Sequence, residues 1–421
     1  MGEMRPRAVY PDTRGWLRRG LWARRVGVRQ TDWACGVLLL VAASGSGGGF
    51  AWAQASQATS TQPAVVQAGM ISRKEVKGIL ADSRKIVSPN GVEELLAIPV
   101  NGTKQWLSIR GRDRRNPILL VLHGGPGSPT MPAAYTFQSP WEDYFTVVEW
   151  DQRGAGKTYG SNDPKALAAS MTVEQMTSDA EEVIRYLQAT YGKKKVFLLG
   201  HSWGSVLGVE VAQRHPEWLY AYLGVGQMVN MQKSEKIGYD FALAQAREQH
   251  NGEAETELLA IAPYPGDAGS MTFEKIGAQR KWLMYYGGLT YGRKDFSYDA
   301  NAWELSPDYT EKDLDSLDDG SLYSVTQLVK PLQALNFDSV TTFRCPVFLF
   351  DGRHDYATSH ELAVEWFKKI QAPEKEFIWF DNSAHMVMQE EPGRFLNYLV
   401  KDVRPLAVAA GDSAPDNEVL R

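Results

Sequence analysis

The run Val196-Phe-Leu-Leu199 followed at once by Gly200-His201-Ser202-Trp203-Gly204 constrains this chain more than any other feature. Four consecutive apolar residues suit a strand buried on both faces, and the residues from about Ser205 to Arg214 read as a helix. The turn between them is so short that the positions flanking Ser202 must be glycine, since a Cβ there would strike the adjoining backbone. A strand that breaks directly into a helix belongs to a layered α/β architecture. The turn lifts the Ser202 hydroxyl above the sheet edge. The positive end of the following helix lies behind it and favours negative charge developing there.

The same alternation recurs along the chain. Ile118–Leu122, Phe145–Trp150, Leu219–Val225, Val347–Phe350 and Phe377–Phe380 read as further strands. Thr172 caps a helix that runs to about Thr190 and that Gly192 stops. Helices are also expected near Glu361–Ile370 and Pro392–Val400. Repeated strand–helix units predict an α/β fold, a mostly parallel sheet with helices on both faces. Residues 227–340 interrupt the pattern with helical periodicity and no strand run, which predicts an inserted helical cap. The cap divides a core of residues 71–226 and 341–404, and residues 405–421 read as a disordered tail.

The N-terminus has a different character. Arginines at 18, 19, 24, 25 and 29 precede the apolar run Ala34–Ala43, and Ala51-Trp52-Ala53 follows. A basic region, a short apolar core and an A-x-A site make a secretory signal. Residues 1–53 are therefore read as a signal peptide, or as a membrane anchor where uncleaved, and residues 54–70 as a flexible linker. This predicts an exported protein. The remainder is ordinary globular material, 43% hydrophobic and 23% charged. A net charge of −5 gives no basic face for nucleic acid. Of the two cysteines, Cys35 falls in the leader, so Cys345 is left as a lone thiol with no disulfide. No Cys/His cluster has metal-ligand spacing, and neither metal nor cofactor is expected.

A serine nucleophile needs a base, and the base needs an orienting acid. When the serine sits on a strand–turn–helix elbow, the chain order is serine, acid, histidine. Two strand ends downstream carry both groups. His385 follows the strand that ends at Phe380, within Asp381-Asn-Ser-Ala-His385. Asp351-Gly-Arg-His-Asp355 follows Phe350 and offers two acids. Asp355 is preferred because it lies further into the loop, while Asp351 suits a structural role in the turn. His123-Gly-Gly-Pro-Gly127 follows another strand. Its backbone is open to a substrate, and Gly125, or alternatively Gly124, would donate one oxyanion hydrogen bond, with Trp203 donating the other. His123 is read as a brace for that loop. Asp151-Gln-Arg-Gly-Ala-Gly-Lys-Thr158 is not a phosphate loop, because Asp151 occupies the place of its first glycine. It reads as a turn in which Arg153 ties loops together.

Taken together, His123-Gly-Gly-Pro-Gly127, Trp150-Asp-Gln-Arg-Gly-Ala-Gly156, Gly200-His-Ser-Trp-Gly-Ser205, Asp351-Gly-Arg-His-Asp355 and Ser383-Ala-His385 resemble the proline iminopeptidase family of α/β-hydrolases over roughly residues 90–400. The resemblance implies an aminopeptidase that releases N-terminal residues from small peptides. It implies Ser202 as nucleophile, Asp355 as acid, His385 as base, and Gly125 with Trp203 as oxyanion donors. In that family, cap glutamates in a W-x-x-W-E stretch and near an E-N-H-Y-F stretch hold the substrate's free amine. Neither stretch occurs here, and Glu235, Asp240 and Glu304 are the cap acids that could substitute. The alternative expectation is an esterase, thioesterase or amidase using the same triad on a small acyl substrate with no free amine. A binding protein that uses the fold as a scaffold is the remote third.

Overall fold

The computed structural model describes residues 71–415, except residue 268. The expected leader and linker therefore lie outside the described residues.

Eight strands form one sheet: β1 (Val92–Val100), β2 (Thr103–Gly111), β3 (Ile118–Leu122), β4 (Thr146–Asp151), β5 (Val196–His201), β6 (Leu219–Val225), β7 (Val347–Gly352) and β8 (Lys375–Phe380). Their order is β1-β2-β4-β3-β5-β6-β7-β8. β1, β2 and β4 pair antiparallel, and every later pairing is parallel. The antiparallel edge hairpin is absent from the sequence reading, which begins its strands at Ile118. Its signal is nevertheless present. Asn101-Gly102 joins two β-prone segments, and both residues have positive φ, 42° and 79°, as a tight two-residue hairpin turn requires.

The central strands are apolar throughout because both faces are covered. Leu120, Leu198 and Leu349 join one core with Val183, Ile184 and Leu187 of α2 (Val173–Tyr191) and with Val206 of α3 (Trp203–Arg214). An N-terminal helix, α1 (Arg73–Ser83), precedes these. Val121, Leu199 and Phe350 point the other way, into a second core with Trp141 and Phe395. The Thr172 hydroxyl caps α2 by accepting from Gln175 N–H, and Gly192 ends it in the left-handed conformation. Arg153 does tie loops together: it is ion-paired with buried Asp179 of α2, at 2.7 Å, and donates to Ser170 Oγ.

Between β6 and β7 lies the helical cap. It comprises α4 (Met231–Glu248), α5 (Gly252–Ala260), α6 (Phe273–Tyr285), α7 (Ser297–Glu304) and α8 (Glu311–Gln333). Its own small core joins Tyr239, Ala246, Leu258, Tyr264 and Trp282. α8 lies across the loops at the sheet's C-terminal edge, where Ser324 Oγ donates to Gly154 O at 2.8 Å. After the cap come α9 (His360–Lys369) and α10 (Pro392–Tyr398).

The expectation of a disordered tail over residues 405–421 is corrected for residues 405–415, and residues 416–421 lie outside the described residues. Pro405–Ala409 is helical and Ala407 is buried in the second core. Asp412 then accepts from Tyr220 Oη at 3.0 Å and pairs with Lys193. Small apolar residues in this polar-looking segment find a groove that periodicity could not reveal.

Candidate active site

The candidate site gathers at the C-terminal ends of β3, β4, β5, β6, β7 and β8. Ser202 follows β5 with φ 55° and ψ −118°, a strained conformation for any residue but glycine. The structure over-determines it. Ser202 N–H donates to Val225 O at 2.9 Å, and α3 starts one residue later. A Cβ on Gly204 would lie 1.9 Å from Leu122 O, so α3 presses on β3 as only glycine permits. Trp203 is the first residue of α3, so its N–H has no partner within the helix.

Asp355 and His385 meet directly. His385 Nδ1–H donates to Asp355 Oδ2 at 2.7 Å. Asp355 also accepts from Ala357 N–H at 2.8 Å, from Thr358 N–H at 3.0 Å and from the Thr358 hydroxyl at 3.0 Å. Burial alone would raise this carboxyl. The adjacent His385 ring and the donors from Thr358 overcome that and hold it at about 2. Asp351, the competing acid, has a different environment. Burial, reinforced by the neighbouring Asp355 charge, pushes its carboxyl well above the usual range. Asp351 thus sits within β7 with its carboxyl pushed up, whereas Asp355, in the loop beyond, faces His385.

Ser202 reaches this pair through its neighbours. His201 Nε2 lies 3.1 Å from His385 O, and the two rings are 4.7 Å apart. Gly226, next to the Val225 carbonyl that holds Ser202, faces the His385 ring so closely that a Cβ there would lie 2.6 Å from Nδ1. Among the described residues, no hydrogen bond joins the Ser202 hydroxyl to the imidazole.

The Gly-rich loop after β3 closes the site from the other side. A Cβ on Gly124 would sit 3.1 Å from Ser202 Cβ, while Gly125 adopts φ +113° at the start of the turn beyond it. His123 braces this loop as expected: Nδ1–H donates to Gly124 O at 2.8 Å and Nε2 accepts from Gln152 N–H at 3.2 Å. Burial holds His123 neutral, at about 4. Gln152 also accepts from Trp203 Nε1–H at 3.0 Å, so it links three loops of the site. Sequence reasoning missed Gln152, Thr358, His201 and Gly226. The first and third stand inside motifs it had noted, whereas no local pattern marks Thr358 or Gly226.

The cap acids offered as amine ligands are all engaged. Glu235 is buried, ion-paired with Arg280, and accepts the Tyr264 hydroxyl. Asp240 pairs with Lys236 at 2.7 Å, and Glu304 with Arg73 at 2.7 Å. Among the described residues, no group of three or more His, Cys, Asp or Glu is arranged to hold a metal ion.

Known proteins resemble this chain in sequence and in fold. The probable aminopeptidase YbaC of Bacillus subtilis (strain 168) is 32% identical over 310 residues, which cover 73% of this chain and 95% of that protein. The proline iminopeptidase of Neisseria gonorrhoeae is 38% identical over 99 residues, 24% of this chain but only 29% of that enzyme. Among solved structures, VinJ superposes with a TM-score of 0.56 at 21% identity, covering 74% of this chain and 99% of its own. The proline iminopeptidase of Mycobacterium smegmatis gives 0.54 at 19% identity, covering 75% and 100%. These two share the fold. Residues 118–397 match the model of the alpha/beta hydrolase family, and with an end-to-end relative a third identical, the chain belongs to that family and is a hydrolase.

Proposed function

We propose that this protein is a serine hydrolase that cleaves an acyl bond with a Ser202–Asp355–His385 triad, acting as an aminopeptidase on small peptides. The observation that carries the reading is the buried Asp355–His385 hydrogen bond beside the strained elbow serine. Because Nδ1 donates to Asp355, Nε2 is the free basic nitrogen. It takes the Ser202 proton as the hydroxyl attacks the substrate carbonyl. The N–H groups of Trp203 and of Gly125 or Gly124 hold the oxyanion, and Gly124 abuts Ser202. His385 then protonates the leaving amine, and water releases the acyl group by the reverse sequence. No cofactor enters the scheme. The leader pattern in the sequence supports export.

One observation favours a second reading. Glu235 is buried against Arg280 and Glu304 is paired with Arg73, while Asp240 is exposed beside Lys236, so no cap acid named by the sequence is a buried carboxylate awaiting a substrate ammonium. An esterase, thioesterase or amidase with no free-amine requirement needs no such group. Ser202→Ala should lower turnover by about 10⁶-fold with the fold intact, and retained activity would reject the triad. Aminoacyl arylamides with free and blocked amines then separate the two readings: equal cleavage of both would reject the aminopeptidase.

A further inference from the structure

One cap loop touches both loops that carry the acid and the histidine. Gly288 O accepts from Tyr356 N–H at 2.9 Å, and the Tyr291 ring stacks on His354 at 4.0 Å, so the loop grips Asp355 from both sides. Leu289 O accepts from His385 N–H at 3.1 Å. A third link differs in kind. The carboxylate of Glu390, at the end of the short helix Val387–Glu390, accepts Ala384 N–H at 2.8 Å through Oε2 and Tyr291 N–H through Oε1. Ala384 immediately precedes His385, and Tyr291 belongs to the cap loop. Glu391, its neighbour, accepts from Asn382 N–H and the Ser383 hydroxyl, and so organises the histidine loop internally without reaching the cap.

We propose that Glu390 is a positioning residue that latches the cap loop 288–291 to the histidine loop, so that seating of the cap sets the placement of His385. The inference rests on His385 being the base of the proposed triad. An ionised carboxylate presents a strong acceptor to both N–H groups. Once protonated, one oxygen carries a hydrogen of its own, and the bond it accepts is weakened. Burial raises the Glu390 carboxyl to about 7, against the pull of the two N–H donors and of Arg293. The charged and titratable groups around it are Arg293 of the cap, itself near Asp299, then Asp355 of the acid loop, His354 beneath Tyr291, and His385. The latch therefore opens and closes near neutrality.

The test is the ratio of wild-type to Glu390→Gln kcat/KM as a function of pH, with kcat and KM separated. The amide introduced by this substitution can accept from only one N–H, and its own hydrogens face the other. Above about pH 8 the variant should lose about ten-fold, mainly in kcat, the worth of one charge-assisted hydrogen bond. Below about pH 5.5 the wild type carries a protonated Glu390, and the ratio should fall towards one. A purely structural role would give a ratio independent of pH. A constant ratio, or an unimpaired variant, overturns the latch. If Glu390→Gln does not fold, Glu390→Asp carries the test: it keeps the charge but is too short to span both N–H groups, and wild-type kcat in it overturns the proposal. Ser202→Ala, run alongside, separates the two failures. If it is inactive while Glu390→Gln is normal, only the latch falls. If it is active, the triad falls first.

Discussion

Gly226→Ala tests the convergence of strands at the candidate site with a single carbon. Gly226 follows β6 with φ +53°, and a Cβ there would stand 2.6 Å from His385 Nδ1, 2.7 Å from Cε1 and 3.2 Å from Asp355 Oδ2. Carbon needs about 3.5 Å from such atoms, so the ring must retreat by about 0.9 Å. It cannot retreat towards Asp355, which already lies at hydrogen-bond distance. The movement therefore lengthens or misaligns the link that holds the imidazole. A displacement of about 1 Å at a reacting group costs about 100-fold in rate, which is the expected loss in kcat. The left-handed backbone adds about 1 kcal/mol of destabilisation, a fall of about 2 °C in Tm for a domain of this size. Gly192→Ala is the control. Its φ is +64° with nothing within 4 Å of the added carbon, so it carries the backbone strain without the contact. Turnover of a small arylamide or ester, the rate of fluorophosphonate labelling and thermal melting should be measured on both variants. Gly192→Ala should melt lower and turn over normally, whereas Gly226→Ala should lose turnover and labelling together. Wild-type kcat in Gly226→Ala, with a Tm like that of the control, would refute the packing of His385 against β6.

The acid at the end of β7 and the acid in the loop beyond it should respond differently to amidation. Asp355→Asn removes the ionised partner of His385 and should lower kcat by about 10⁴-fold, whereas Asp351→Asn, at a carboxyl that burial and the Asp355 charge push well above the usual range, should leave kcat near wild type, as steady-state kinetics will show. Glu149 tests the pH dependence of stability. Burial raises its carboxyl to about 8, so its stabilising contribution is complete below the ordinary carboxylate range and is lost as pH rises through about 8. Glu149→Gln should therefore be the more stable protein at about pH 9, by up to about 5 kcal/mol, and denaturant melts that fall equally with pH in both proteins would contradict it.

Much of the architecture is local and so is legible in the sequence. The strands from β3 onward announce themselves because both their faces are covered, which leaves uninterrupted apolar runs between turn residues. Thr172 and Gly192 mark the ends of α2 because capping is a property of a few adjacent residues. Ser202 is legible for the same reason: the elbow needs glycine on either side, and its strand and helix lie within a few residues. The edge hairpin escapes the reading despite Asn101-Gly102, because β1 and β2 are mixed in polarity. The docked segment 405–412 escapes it because its partners, Tyr220 and Lys193, lie far earlier in the chain.

What the chain's order of residues determined by itself is the layered α/β class, the elbow serine, and the acid and histidine loops in their sequence. What only the tertiary structure decided is which charges meet. Asp351 and Asp355 stand four residues apart, yet Asp355 faces His385 while Asp351, within β7, is buried without such a partner. Glu235 is an ordinary glutamate in the sequence, but the fold encloses it with Arg280 and withdraws it from any substrate. Side-chain charge depends on burial and on neighbours distant along the chain, and neither is written in local periodicity.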